Sequence, residues 1–146
     1  MSTLQKSYLK RQAIVSEARR WIGTPYMHQA SALQAGCDCL GLVRGVWRAV
    51  IGPEPEHPGA YSPDWAEAGG VDRLLDAGRR HFTEADAGQW QAGDVLVFRW
   101  HAEAPAKHMG VATSHTCMIH AHEGASVCEI TVSPLWRRKL VAVFEF

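Results

Sequence analysis

The sequence predicts one α+β domain spanning residues 1–146, with helices first and a mostly antiparallel sheet after them. Two observations carry this. In the first half, apolar residues recur at helical spacing. In the second half, short runs rich in Val, Leu, Ile and Phe are separated by only a few turn residues. Connections that short favour antiparallel pairing, because parallel strands need crossovers of roughly a dozen residues or more.

Helix 1 is expected over residues 4–22. Ile14, Ala18, Trp21 and Ile22 fall on one face, and Gly23 and Pro25 stop it. A loop of small and polar residues follows from Thr24 to Gly36. Helix 2 should begin near Asp38, a good N-cap, and carries the stripe Leu42, Val43, Val46, Trp47 and Val50 up to Gly52-Pro53. Pro53, Pro55, Pro58 and Pro63 mark residues 53–63 as an extended surface loop. Residues 64–80 read as one or two short helices broken at Gly69-Gly70, and Trp90–Asp94 as a turn. Strands are expected at Asp94–Trp100, His108–Thr113, Thr116–Ala121, Val127–Val132 and Leu140–Phe146. The last of these ties the C-terminal residues into the sheet.

Composition narrows the function. Lys+Arg and Asp+Glu each number 15, so the formal net charge is zero with histidine neutral. That argues against a nucleic-acid partner bound through counterion release. Charge is uneven, with five Lys/Arg and one Glu in residues 1–20, and eight acids and three bases in residues 52–86. Both read as solvated faces. No stretch has the roughly 18 apolar residues needed to span a bilayer. The charged first 30 residues do not read as a signal peptide, so the expectation is synthesis in the cytoplasm. The surplus is eight histidines and four cysteines. A cytoplasmic chain of this length neither needs nor usually keeps disulfides, so the cysteines point to chemistry, metal binding or packing.

Gly36-Cys37-Asp38-Cys39-Leu40-Gly41 places Cys39 in the first turn of helix 2. Free N–H groups and the helix dipole there favour thiolate over thiol, the nucleophilic form. Gly41 would leave room beside the sulfur. A nucleophilic cysteine needs a base and an orienting group. His108 opens one strand and His120 ends the next, so the two can approach across a ladder. His122 shares the face of His120 and is the alternative third member. The competing metal site would use His115, Cys117, His120, His122 and Cys128. It lacks a C-x-x-C pair and helical H-x-x-x-H spacing. A Cys37–Cys39 redox pair would close a strained ring. No metal or other cofactor is expected. Trp21 and Trp47 read as core; Trp90, Trp100 and Trp136 border turns or strand ends, where a substrate or partner can reach them. Arg44, Arg99 and Lys107 are candidate partners for a substrate carboxylate.

Five segments, in order, resemble the NlpC-type cell-wall cysteine peptidases of the papain-like fold. They are Ala18–Tyr26 with its Gly-Thr-Pro-Tyr turn, Asp38–Val43, Gln91–Phe98, His108–Val111 and Met118–Ala121. The resemblance implies Cys39 as nucleophile, His108 as general base and His120 as its orienting partner. It implies that the Tyr26 hydroxyl, with the backbone N–H of Cys39, holds the oxyanion. Asp38 takes the motif acid's place, with a capping role. Leu40 departs from the family's serine, and Cys37 from a bulky apolar residue. This version of the motif resembles the peptidases of phage tails and gene-transfer agents. The resemblance thus implies hydrolysis of peptidoglycan stem peptides between D-glutamate and a diamino acid, at the cell wall as part of a phage-like particle, with phage-tail proteins as partners. The alternatives are an inactive tail subunit and a papain-like amidase or acyltransferase acting on another substrate.

Overall fold

The structure, a computed structural model, describes residues 1–59 and 72–146. Helix α1 (Thr3–Arg20) is closed at its start by a capping box: Ser2 accepts from the Gln5 backbone N–H, and the Gln5 side chain accepts from that of Ser2. Its buried face is Ile14, Glu17 and Ala18, with Trp21 as the C-cap. The loop expected over residues 24–36 contains a two-residue hairpin, β1 (Ser31–Ala32) with β2 (Gly36–Cys37). These strands are too short for any period to show in the sequence. Helix α2 (Cys39–Val50) starts where Asp38 predicts.

The expected helical stretch at 64–80 is observed as α3 (Arg73–His81), N-capped by Asp72. Its earlier part, with the break at Gly69-Gly70, lies outside the described residues, as does the end of the Pro-rich loop. Then come β3 (Thr83–Ala85), β4 (Asp94–Phe98), β5 (His108–Ala112), β6 (Cys117–His120) and β7 (Cys128–Thr131). Helix α4 (Pro134–Lys139) and β8 (Leu140–Glu145) complete the chain. The sequence reading missed β3 and α4. One is polar and at an edge; the other has only six residues, less than two helical turns.

Among the described residues the main sheet runs β3-β8-β4-β5-β6-β7, with every pair antiparallel. The C-terminal strand sits inside the sheet, as expected. β4 ends at Phe98, two residues short of expectation and just after a register shift between Val97 and Phe98. Both faces of β4 are buried, so it reads as a continuous apolar run. Val95 and Val97 join Met109, Val111 and Ile119 under α1 and α2, where Ile14, Leu42 and Val46 meet them. Leu96 and Phe98 face the other way, with Met118, Val143 and Trp90, and Trp136 of α4 covers them. Buried Asp94 ties α1 to the start of β4: it accepts from Arg11 at 2.7 Å and from the Gln91 backbone N–H at 2.8 Å. A buried carboxylate needs such partners.

Candidate active site

Cys39 lies at the start of α2, and His108 and His120 lie on the sheet beside it. The nucleophile side is built from backbone. Asp38 Oδ1 accepts from the Gly41 N–H at 2.7 Å, and Oδ2 from the Gln29 N–H at 2.8 Å. The carboxylate therefore clamps the 28–30 loop to the helix start, the capping role the sequence implied. Gly41 has a different reason from the one expected. A Cβ there would lie 1.8 Å from the Ala30 carbonyl oxygen, so the glycine admits the loop backbone rather than leaving room beside the sulfur. Tyr26 lies alongside Cys37 in an isolated parallel bridge and packs, half-buried, against the core within electrostatic reach of Cys39.

Cys39 is the first residue of α2 and is half-buried. Its Sγ is 3.9 Å from the carbonyl oxygen of Lys107, a weak contact. The backbone N–H groups of Met109 and Leu40 also act on the sulfur and favour its anion. Thus the residues on both sides of His108 touch the cysteine. Burial outweighs those N–H groups, with the Asp38 carboxylate adding to it, and pushes the Cys39 thiol up to about 12. This corrects the expectation of a depressed pKa. The helix start does present donors, but the site withdraws the sulfur from water and sets a carboxylate beside it. The Tyr26 hydroxyl is likewise raised to about 12, by burial and then by the Cys39 sulfur, so it stays protonated as a donor. Cys37 is buried, pushed up to about 12 by burial, and free, as are all four cysteines.

The histidine side is built from sheet register and rings. His108, first in β5, pairs with Phe98, and His120 pairs with Gly110. The two histidines are therefore diagonal neighbours on one face. Gly110 permits this: a Cβ there would meet Met118 Sδ at 2.8 Å and His120 Cβ at 3.3 Å. His108 Nε2 and His120 Nδ1 are hydrogen-bonded at 2.8 Å. His122 is exposed; its ring centroid is 5.4 Å from His108 and 5.6 Å from His120. The hydrogen bond thus goes to His120. Trp100 stacks on His108 at 5.4 Å and on His122 at 5.7 Å, and Trp136 stands 5.5 Å from both His108 and His120. Burial, then the neighbouring histidines, drives His108 well below its usual pKa; burial, then His122, lowers His120 to about 4. Both rings are neutral near pH 7.

Arg44 is already paired with Glu54 at 2.5 Å. Among the described residues, no group of three or more His, Cys, Asp or Glu side chains is arranged to hold a metal ion. Nor is any helix of the described residues long and apolar enough to cross a membrane. A cavity of about 420 Å³ adjoins the site. Among its lining residues are Leu40, Val43, Trp47, Phe82 and Met109. Its walls come from α2, α3, the sheet and residues 54–58 of the Pro-rich loop, the segment expected to flank a substrate pocket.

A cysteine at a helix start, set against an antiparallel sheet that carries a histidine pair, defines a papain-like domain. The chain belongs to the NlpC/P60 family, whose profile matches residues 23–145. It is similar to the NlpC/p60 domain of the peptidoglycan hydrolase SagA, with 26% identity and a TM-score of 0.64 over 93% of this chain and 98% of that one. An NLP/P60-family lipoprotein-like protein of Staphylococcus aureus is 21% identical with a TM-score of 0.64, over 94% of this chain and 41% of that one. An NlpC/P60 family protein of Bacillus cereus gives 16% and 0.66, over 91% and 39%. The chain thus spans a whole domain of the first and about two fifths of the other two. A search of curated proteins found no match.

Proposed function

We propose that this domain is a cysteine amide hydrolase acting on peptidoglycan stem peptides. The observation that carries it is the contact of Cys39 with both residues flanking His108, whose ring is hydrogen-bonded to buried His120. Similarity to a domain of a peptidoglycan hydrolase supports the substrate class. The resting pair is neutral thiol and neutral imidazole. If His108 Nε2–H donates to His120 Nδ1, His108 Nδ1 is left as the basic nitrogen. His108 takes the thiol proton as Cys39 Sγ attacks the carbonyl, so neither charge is created alone. The protonated Tyr26 hydroxyl and the Cys39 backbone N–H hold the oxyanion. His108 then gives its proton to the leaving amine. A water, deprotonated by His108, cleaves the thioester and restores the thiol.

The family resemblance supports a bond between D-glutamate and a diamino acid, and the motif of residues 37–43 supports action at the cell wall as part of a phage-like particle. The test is release of peptide fragments from purified peptidoglycan, identified by mass. Wild-type protein should release them and Cys39→Ala should not; equal release by both overturns the reading. Slow alkylation of Cys39 at pH 6 does not distinguish an active from an inactive domain, because burial keeps the resting thiol protonated.

A second reading has its own observation. The surface of the 420 Å³ cavity is mostly apolar, although Arg44, Glu54, Arg73, Asp76 and Arg80 also line it, and Leu40, which stands where the family has serine, is part of that apolar surface. A small acyl group would fit the apolar part of the wall. Under this reading, a short-chain acyl thioester or ester acylates Cys39 faster than any stem peptide does, and Leu40→Ser reverses the order.

A further inference from the structure

Among the described residues, the half-buried cations include two arginines held by carboxylates. Arg11 and Arg44 each meet a carboxylate, Asp94 at 2.7 Å and Glu54 at 2.5 Å. Arg99 and Lys139 are also half-buried, yet neither is in an ion pair among the described residues. Withdrawing a cation from water without a counter-charge is costly. Both line one groove of about 330 Å³, together with Trp100, His101 and Arg138. Arg99 Nη1 donates to the Ala102 carbonyl at 2.7 Å, which fixes the guanidinium and uses one of its five donors. Lys139 Nζ stands 5.0 Å from the Trp100 ring centroid.

Glu103, the only acid in residues 99–107, is exposed and does not line the groove. Arg138 and Lys139 also complement the C-terminal end of α4, which is an ordinary reason for basic residues there. Arg99 is not on that helix, so the dipole does not account for it. The wall of the groove is the indole that stacks on His108 at 5.4 Å. A ligand in the groove is therefore one ring away from the proposed general base.

We propose that this groove is a specificity subsite that binds a free carboxylate of an acidic peptide while its amide bond lies at Cys39. The proposal rests on the peptide-hydrolase reading. A planar guanidinium beside an ammonium suits a carboxylate, through a forked contact and a point charge.

The experiment compares kcat/KM on soluble stem peptides in which each free carboxylate in turn is replaced by carboxamide. Wild-type protein should prefer one carboxylate form by at least about tenfold, the size of a lost charge-assisted hydrogen bond. In Arg99→Gln and Lys139→Gln, checked for unchanged melting, that preference should collapse to within about twofold. Variants that keep the wild-type ratio overturn the subsite and leave the hydrolase reading intact. If wild-type protein cleaves no stem peptide, the hydrolase reading fails, and calorimetric binding of each carboxylate and carboxamide pair to Cys39→Ala protein tests the groove alone. Equal affinities within every pair overturn it.

Discussion

At the start of α2 the backbone does the positioning, and at the rim of the sheet the rings do. Cys39 is set by the two N–H groups that Asp38 collects and by the close approach of Ala30 to Gly41. His108 and His120 are set by strand register, one nitrogen–nitrogen hydrogen bond and the faces of Trp100 and Trp136. Backbone contacts at van der Waals limits have no slack, because no rotamer change relieves them. Ring packing has some, because a smaller ring can keep most of the contact. The two sides of one site should therefore answer differently to substitution.

The largest expected effect is on the rigid side. In Gly41→Ala the new Cβ would sit 1.8 Å from the Ala30 carbonyl oxygen, with Asp38 Oδ1 at 3.1 Å. Either the loop or the helix start must move, and the Asp38 cap is lost with it. The expected cost is about 3 kcal/mol or more. Urea unfolding measures it; a midpoint within error of wild type would show that the loop is held loosely and that the comparison is wrong.

The histidine side should show itself in acid. The unfolded chain binds protons at His108 and His120 as pH falls through about 6.5, the unperturbed value. The folded chain leaves His120 neutral down to about 4, and burial holds His108 well below its ordinary value. The unfolded state therefore holds more protons in that window. The stability that comes from keeping these rings neutral is complete above pH 6.5 and is lost progressively between pH 6.5 and 4. His120 alone contributes a loss on the order of 3 kcal/mol, and His108 adds in the same direction. Melting curves from pH 7.5 to 4.5 measure it. His120→Gln should flatten the dependence; an unchanged slope would mean that His120 is protonated in the folded protein.

The same contrast explains what the sequence made legible. Asp38, Cys39 and Gly41 lie within four consecutive residues, so the cap and the nucleophile could be placed from local chemistry. The histidines depended on register, and one ladder step decides which ring is opposite which. The face shared by His120 and His122 was readable and the resemblance named His120 as the partner of His108, but the residues alone did not decide between His120 and His122, because the diagonal His108–His120 hydrogen bond needs the missing side chain of Gly110. The ionisation of Cys39 was misread for a related reason. The helix dipole is a local property, whereas burial and the fixed direction of the Asp38 carboxylate are tertiary. Trp100 and Trp136 stood out only as tryptophans near turns. Their meeting over the histidines joins the end of β4 to a six-residue helix with no periodic signal.

The smallest effect should come from trimming a ring on the tolerant side. Trp136 lies 5.1 Å from Phe98 in an edge-on contact and covers the His108–His120 pair from α4. Trp136→Phe keeps an aromatic face there and removes part of its area, at an expected cost of about 1 kcal/mol. His120 should stay neutral at pH 6 in this variant, read as unshifted imidazole signals in an NMR titration. Trp136→Ala removes the cover, admits water, and should move the His120 midpoint upward toward 6.5, since desolvation is the largest cause of its depression. If Trp136→Phe were as damaging as Gly41→Ala, ring packing would have no more slack than the backbone clamp. The two halves of the site would then be rigid in the same way.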